Sequence, residues 1–193
     1  MDTAFEEESY YEESFAGVNL AKATIKDKEF ENCTFRKCVF IECMFDACKF
    51  LDCTFEGCSI SANKPYNSQF ANVTFRDSKV MGFDWTKARS VRSLVFERCD
   101  LGYSDFSFLK LPGLKLLECT AKEVNFNGTD LTDGILAKTD FEKAVFSETN
   151  LSGADLRGAV NYSIDIHFNT LKKARFSLPE ANVLLRSLDI ILE

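Results

Sequence analysis

Residues 31–60 read ENCTFRKCVF IECMFDACKF LDCTFEGCSI, and the spacing of Cys and Phe in this stretch decides the fold. Phe35, Phe40, Phe45, Phe50 and Phe55 recur at every fifth residue. Cys33, Cys38, Cys43, Cys48, Cys53 and Cys58 keep the same count two residues earlier. Moving outward, the large beat runs back through Phe30, Ile25 and Leu20 to Phe15, and forward to Ile60. It resumes at Phe70, Phe75, Val80 and Trp85, slips by one residue, and continues from Phe96 through Leu101, Phe106 and Leu111 to Leu116. A last run goes from Phe126 through Leu131, Leu136, Phe141, Phe146 and Leu151 to Leu156. The small beat continues as Ser68, Ser78, Cys99, Ser104, Thr129, Gly134, Thr139, Ala144, Thr149 and Ala154. An internal period of this kind outranks every other signal in a sequence.

A helix repeats near 3.6 residues and a strand at 2, so neither explains a period of five. A unit with one small and one large inward residue suits a chain that turns a corner after each unit. Four units then close a square coil of about 20 residues, and successive coils stack as parallel strands about 4.8 Å apart. The large residues form ladders along the axis, and the remaining positions face solvent or make corners. Backbone groups pair with the coil above or below, as burial requires. The expected class is all-β.

The units Ala154-Asp155-Leu156-Arg157-Gly158 and Cys53-Thr54-Phe55-Glu56-Gly57 resemble the A-(D/N)-(L/F)-x-x signature of the pentapeptide-repeat family. That resemblance implies a right-handed quadrilateral parallel β-helix. Counted from Phe5 and Tyr10 to Val160, it gives about eight coils and a rod about 37 Å long. The domain reading is a repeat solenoid over 1–160, with an acidic cap over 1–14, and a C-terminal turn, helix and tail over 161–193.

The formal charge is −7, and six of the 30 acids fall in the first 14 residues, which hold no Lys or Arg. The remaining 24 acids face 23 bases, so the rod is close to neutral on average. No apolar run is long enough to span a bilayer, and the first residues lack the basic and apolar regions of a signal peptide. The expected location is cytoplasmic, with no membrane partner. All eight cysteines sit on or near the small beat, and their spacing matches no common zinc pattern. They read as reduced, buried small hydrophobes, with no cofactor or metal.

Two segments interrupt the beat. Residues 61–67 lose the inward pattern while keeping the count, and Pro65 cannot donate to a ladder. Thr86 to Ser93 lose the pattern and shift the register, with Trp85 just before them too large for a narrow core and expected to widen or kink the rod. Such breaks are either tolerated irregularities or protrusions that meet a partner, because binding residues favour loops on rigid scaffolds. The partner-contact candidates are Asn63, Lys64 and Tyr66 in the first break and Lys87, Arg89 and Arg92 in the second.

The C-terminal segment changes period. Ser177-Leu178-Pro179-Glu180 has the form of a capping box, followed by Ala181, Leu184, Leu185 and Leu188 on one face of a short α-helix. Ile190, Ile191 and Leu192 form an apolar tail. A solenoid needs its open end covered. The segment either caps a monomer or meets its copy in a symmetric homodimer through these seven residues. It is similar to the C-terminal segment of the Qnr quinolone-resistance and microcin-immunity branch, which implies the dimer.

Catalytic chemistry is not legible. His167 is the single histidine, and the chain contains no phosphate loop or nucleophile elbow. A nucleic-acid binder carries a basic stripe, which this acidic chain lacks, so direct nucleic-acid contact is not expected. The resemblance implies a non-enzymatic rod that binds DNA gyrase or topoisomerase IV by partial DNA mimicry and protects it from quinolone-like poisons. The alternative is an interaction scaffold for another partner. A continuous acidic stripe favours the first, and a mixed surface the second.

Overall fold

The computed structural model describes residues 4–188 and 190. Among them, sixteen strands of three residues each pair in parallel into four sheets of five, six, three and two strands. The six-stranded sheet joins Ser14–Ala16, Thr34–Arg36, Thr54–Glu56, Thr74–Arg76, Val95–Glu97 and Lys115–Leu117. Its register places Phe15 on Phe35, Phe35 on Phe55, Phe55 on Phe75, Phe75 on Phe96 and Phe96 on Leu116. The chain is therefore a parallel β-solenoid with four faces and one inward large residue per face. Regular strands fall short of the expected eight or so coils. Beyond Leu117 the same face continues as single bridges, Lys115 to Ile135, Ile135 to Asp155 and Asp155 to Arg175.

Each corner is made by the residue two after the large one, which takes a left-handed backbone. Asn32, Lys37 and Glu42 lie at φ of 53°, 50° and 53°. That conformation is costly for a residue with a Cβ. At the same place the corner N–H reaches the coil above, as Asn32 does to the Leu51 carbonyl at 3.0 Å.

The small inward residue solves a separate problem, because its own N–H points into the core. In the first coils the corner stays open and the side chain one coil above supplies the acceptor. Cys48 N–H donates to Ser68 Oγ at 2.9 Å, and that hydroxyl donates onward to the Phe45 carbonyl at 2.8 Å. Cys43 N–H donates to Asn63 Oδ1 at 2.6 Å, and Asn63 Nδ2 donates to the Phe40 carbonyl at 2.9 Å. In the later coils most corners close instead. Gly134, Ala144 and Ala154 donate back to the carbonyls of Leu131, Phe141 and Leu151 at 2.9–3.0 Å. There the residue before the large one caps the turn: Asp130, Asp140, Asn150 and Asp155 each accept from the N–H two residues on, at 3.0–3.1 Å. The Asp or Asn of the repeat signature is thus a turn cap.

Aromatic columns fill the first coils. The Phe15, Phe35, Phe55, Phe75 and Phe96 rings stack with centroids 4.5–5.1 Å apart and planes within 18°. Burial pushes the Cys48 thiol up to about 11 and the Cys53 thiol up to about 12. Both are protonated at neutral pH and serve as packing, since the thiolate is the reactive form.

Both breaks differ from their sequence reading. Residues 61–67 keep the inward beat with unusual residues: Asn63 fills the small place and Pro65 the large one, both buried. Trp85 is fully buried in the core. It stacks on Phe106 at 5.6 Å and lies tilted against Phe83 at 4.2 Å. Pro65 holds the same place on the beat one coil earlier. The second break is one extra residue at a corner rather than a protruding loop. A 3₁₀ turn at Trp85–Lys87 absorbs it, capped by Asp84, and Ser90–Arg92 then rejoins the ladder with Val91 on Phe70.

The C-terminal helix, Glu180–Leu188, is 3₁₀ rather than α. The expected capping box does not form. Ser177 Oγ instead accepts from the Gly158 N–H at 3.1 Å, tying the segment to the last corner. His167 Nε2 lies 3.0 Å from the Ser187 carbonyl and fixes the helix end against the preceding turn.

Candidate partner-binding surface

A coil of 20 residues puts side chains 20 apart in sequence next to each other on the outside. The charges use this. Arg36 meets Glu56 at 3.3 Å, Lys49 meets Glu29 at 2.9 Å, Lys122 meets Glu142 at 2.7 Å and Lys138 meets Glu118 at 3.0 Å. Past the inserted residue the step is 21: Arg76 meets Glu97 at 2.9 Å and Arg98 meets Asp77 at 2.7 Å. Acids and bases therefore alternate up the columns. The surface is mixed, with no continuous acidic stripe along these columns. Exposed pairs of this kind add little to stability. The alternation sets the electrostatic pattern more than it sets stability.

The same period brings the two breaks together. Asn67 N–H donates to the Lys87 carbonyl at 3.0 Å, so Lys64 and Tyr66 lie one coil from Lys87 on one face. Tyr66 is 58% exposed, and Lys64, Lys87, Arg89 and Arg92 are exposed. Lys87 Nζ lies 3.8 Å from the Asp84 carboxylate. Asn63 is a correction. It is fully buried and both ends of its amide are bonded inside the rod, so it holds an open corner and is not free to touch a partner.

Two exposed aromatics were missed by the sequence reading. Tyr103 is 62% exposed and Phe108 70% exposed, both at corner positions with positive φ. Phe108 lies over Gly128, where a Cβ would clash with its ring. The signal was present: a Phe two residues after the beat has no inward place to go.

The terminal helix buries none of its residues fully. Val183 and Leu184 pack against the core, Ala181 and Leu185 are half-buried, and Leu188 and Ile190 are 41% and 51% exposed. Ile191 and Leu192 lie outside the described residues. Glu142, Asn161, Tyr162, Ser163, Glu180, Val183 and Arg186 line an open cleft of about 400 Å³ between this helix and the last coil.

Such a four-faced solenoid with a fifth-residue inward beat defines a repeat-built rod. The family profile described as a pentapeptide repeat region matches residues 28–106 and 48–126, and that of pentapeptide repeats (8 copies) matches 125–160. The chain belongs to the pentapeptide-repeat family.

Its relatives include the pentapeptide repeat protein QnrB4 of Escherichia coli, 29% identical over 79 residues. Another is the quinolone resistance pentapeptide repeat protein QnrB96 of Scandinavium goeteborgense, 31% identical over 70 residues. These matches take in 41% and 36% of this chain but only 36% and 33% of the relatives' lengths. Full-length QnrB1, a plasmid-mediated fluoroquinolone resistance protein, superposes with a TM-score of 0.74 at 19% identity, covering 94% of this chain and 100% of QnrB1. A trypsin-treated form of QnrB1 gives 0.68 at 21% identity. The chain is a Qnr-like pentapeptide-repeat protein in fold and repeat sequence.

Proposed function

We propose that this protein binds a gyrase-type topoisomerase and protects it from quinolone-like poisons. The observation that carries the reading is the local sequence match to two Qnr proteins, one of them named for quinolone resistance. The match lies on a rod of the same architecture as QnrB1. The protein acts in the cytoplasm as a homodimer joined through the half-covered helix and tail, with no catalysis of its own. Because acids and bases alternate on the outer columns, recognition rests on the rod's width and on local contacts at Lys64, Tyr66, Lys87, Arg89 and Arg92. A strong negative field contributes less.

The test is gyrase supercoiling with and without ciprofloxacin across a titration of this protein. Restored supercoiling in the presence of drug supports protection. Inhibition without rescue leaves topoisomerase binding but removes protection, and no effect at micromolar protein removes both. The mixed surface favours a second reading, a scaffold whose partner is another protein; on that reading gyrase is unaffected at every concentration.

A further inference from the structure

Not every base has an acid above or below it: Lys37 stands between Gly17 and Gly57, and four more unpaired cations fall in two successive coils that begin at the inserted corner. Arg92 has Ala71 as its partner across the ladder, and Pro112 stands 20 residues on. Lys115 lies between Val95 and Ile135. Arg89 belongs to the inserted corner, where the regular columns are interrupted. Lys110 faces Asp130 across a bridge. The Oδ1 of that carboxylate accepts from the Thr132 N–H and hydroxyl and from Asn150 Nδ2, and no ion pair joins Asp130 to Lys110. The other nearby acids, Asp77 and Glu97, hold Arg98 and Arg76. Arg89, Arg92, Lys110 and Lys115 are all exposed, and none has an anionic partner within ion-pair distance among the described residues. The exposed Phe108 side chain stands at the corner two residues before Lys110, its ring over Gly128.

From this geometry we infer that Arg89, Arg92, Phe108, Lys110 and Lys115 form a docking surface for a short acidic polypeptide segment that carries a large apolar side chain. The four cations supply charge complementarity, which steers encounter and fixes register. Phe108 supplies an immobilised apolar anchor of the type that dominates binding energy. A long polyanion fits less well. The patch has one ring where single-stranded nucleic acids require several stacked in series, and the protein's net charge of −7 repels it. The inference stands whether or not the protein acts on a topoisomerase.

The test is fluorescence anisotropy of a fluorescein-labelled peptide alternating Glu and Leu, titrated with the full chain. A peptide with Lys in place of Glu, and oligo-dT, run in parallel. The expected result is saturable, salt-sensitive binding of the acidic peptide alone. Arg92→Glu and Lys115→Glu each weaken it about tenfold, as reversal of a contacting charge does, and Phe108→Ser weakens it about fivefold. All three positions are exposed, and circular dichroism confirms that the variants fold. The proposal is overturned by absence of saturable binding, by unchanged affinity in folded variants, or by tighter binding of oligo-dT. Peptide binding by a protein that leaves gyrase unaffected retains this surface and removes only the topoisomerase reading.

Discussion

The coils before Ser61 and those after Leu117 bury the same pair of residues per unit and satisfy the backbone differently. In the first region the corners are open, and a hydroxyl, amide or sulfur from the next coil accepts the inward N–H. In the second, most corners close on their own carbonyl, and an Asp or Asn caps most of those turns. The first region therefore depends on contacts between coils, and the second on contacts within a turn. One inward pattern tolerates both because the demand is only that every buried donor finds an acceptor. The choice is made by the residue 20 positions on and by the residue before the large one.

The largest expected effect comes from breaking the columns in each region. Phe55 sits between Phe35 and Phe75 in a stacked column, with centroids at 4.5 and 4.9 Å. Phe55→Ala costs about 3–5 kcal/mol through lost burial and a cavity. Leu131→Ala, fully buried in the second region, costs about 2–5 kcal/mol. Because Phe55 also loses two stacked partners, it should be the costlier change in urea unfolding followed by circular dichroism. A larger loss at Leu131 would show that stacking adds nothing to the first coils.

A sharper comparison removes one hydrogen-bonding side chain from each kind of corner. Ser68→Ala leaves the buried Cys48 N–H without its acceptor and the Phe45 carbonyl without a donor. Leaving a buried group unsatisfied costs about 1–3 kcal/mol. Thr129→Val removes a hydroxyl that donates to the Phe106 carbonyl, but that carbonyl keeps the Leu109 N–H. Its cost is about 0.5–1.5 kcal/mol, that of an ordinary hydrogen bond. Amide exchange at Cys48 should accelerate in the first variant, while exchange at Leu109 stays slow in the second. Equal losses would mean that open and closed corners are energetically the same.

The contrast also separates what could be read from sequence. The fifth-residue beat, the buried thiols and the all-β class follow from spacing alone. Asn63 and Pro65 misled because their residue types are atypical of the beat while their positions are not; the count was the better guide. Trp85 was judged by size alone, without the Phe70, Phe83 and Phe106 rings that it packs among. The alternating charges were present as Arg36, Glu56 and Arg76, but they become neighbours only once the coil length is known. In place of the capping box, Ser177 Oγ accepts from the Gly158 N–H, a contact between residues 19 apart. The partner surface was the least legible part, since Lys110 and Lys115 are distinguished only by what their neighbours lack.

The smallest effect tests whether the outer columns matter to the rod at all. Hydrogen bonds from the Arg98 guanidinium hold the Asp77 carboxyl below its ordinary value of 3.8. A depressed folded value means that the pair's contribution is present above the unfolded value and is lost as pH falls through the folded one. Arg98→Ala should return Asp77 to the ordinary carboxylate range in an NMR titration. Both groups are exposed, so the melting midpoint at neutral pH should barely move, in keeping with the small worth of surface pairs. A midpoint loss as large as that of Ser68→Ala would place the lateral charges on a par with the inward hydrogen bonds. The rod would then be held from outside as much as from within. Unpaired cations at Arg92 and Lys115 would count as a stability cost retained for binding, strengthening the case that a partner covers them.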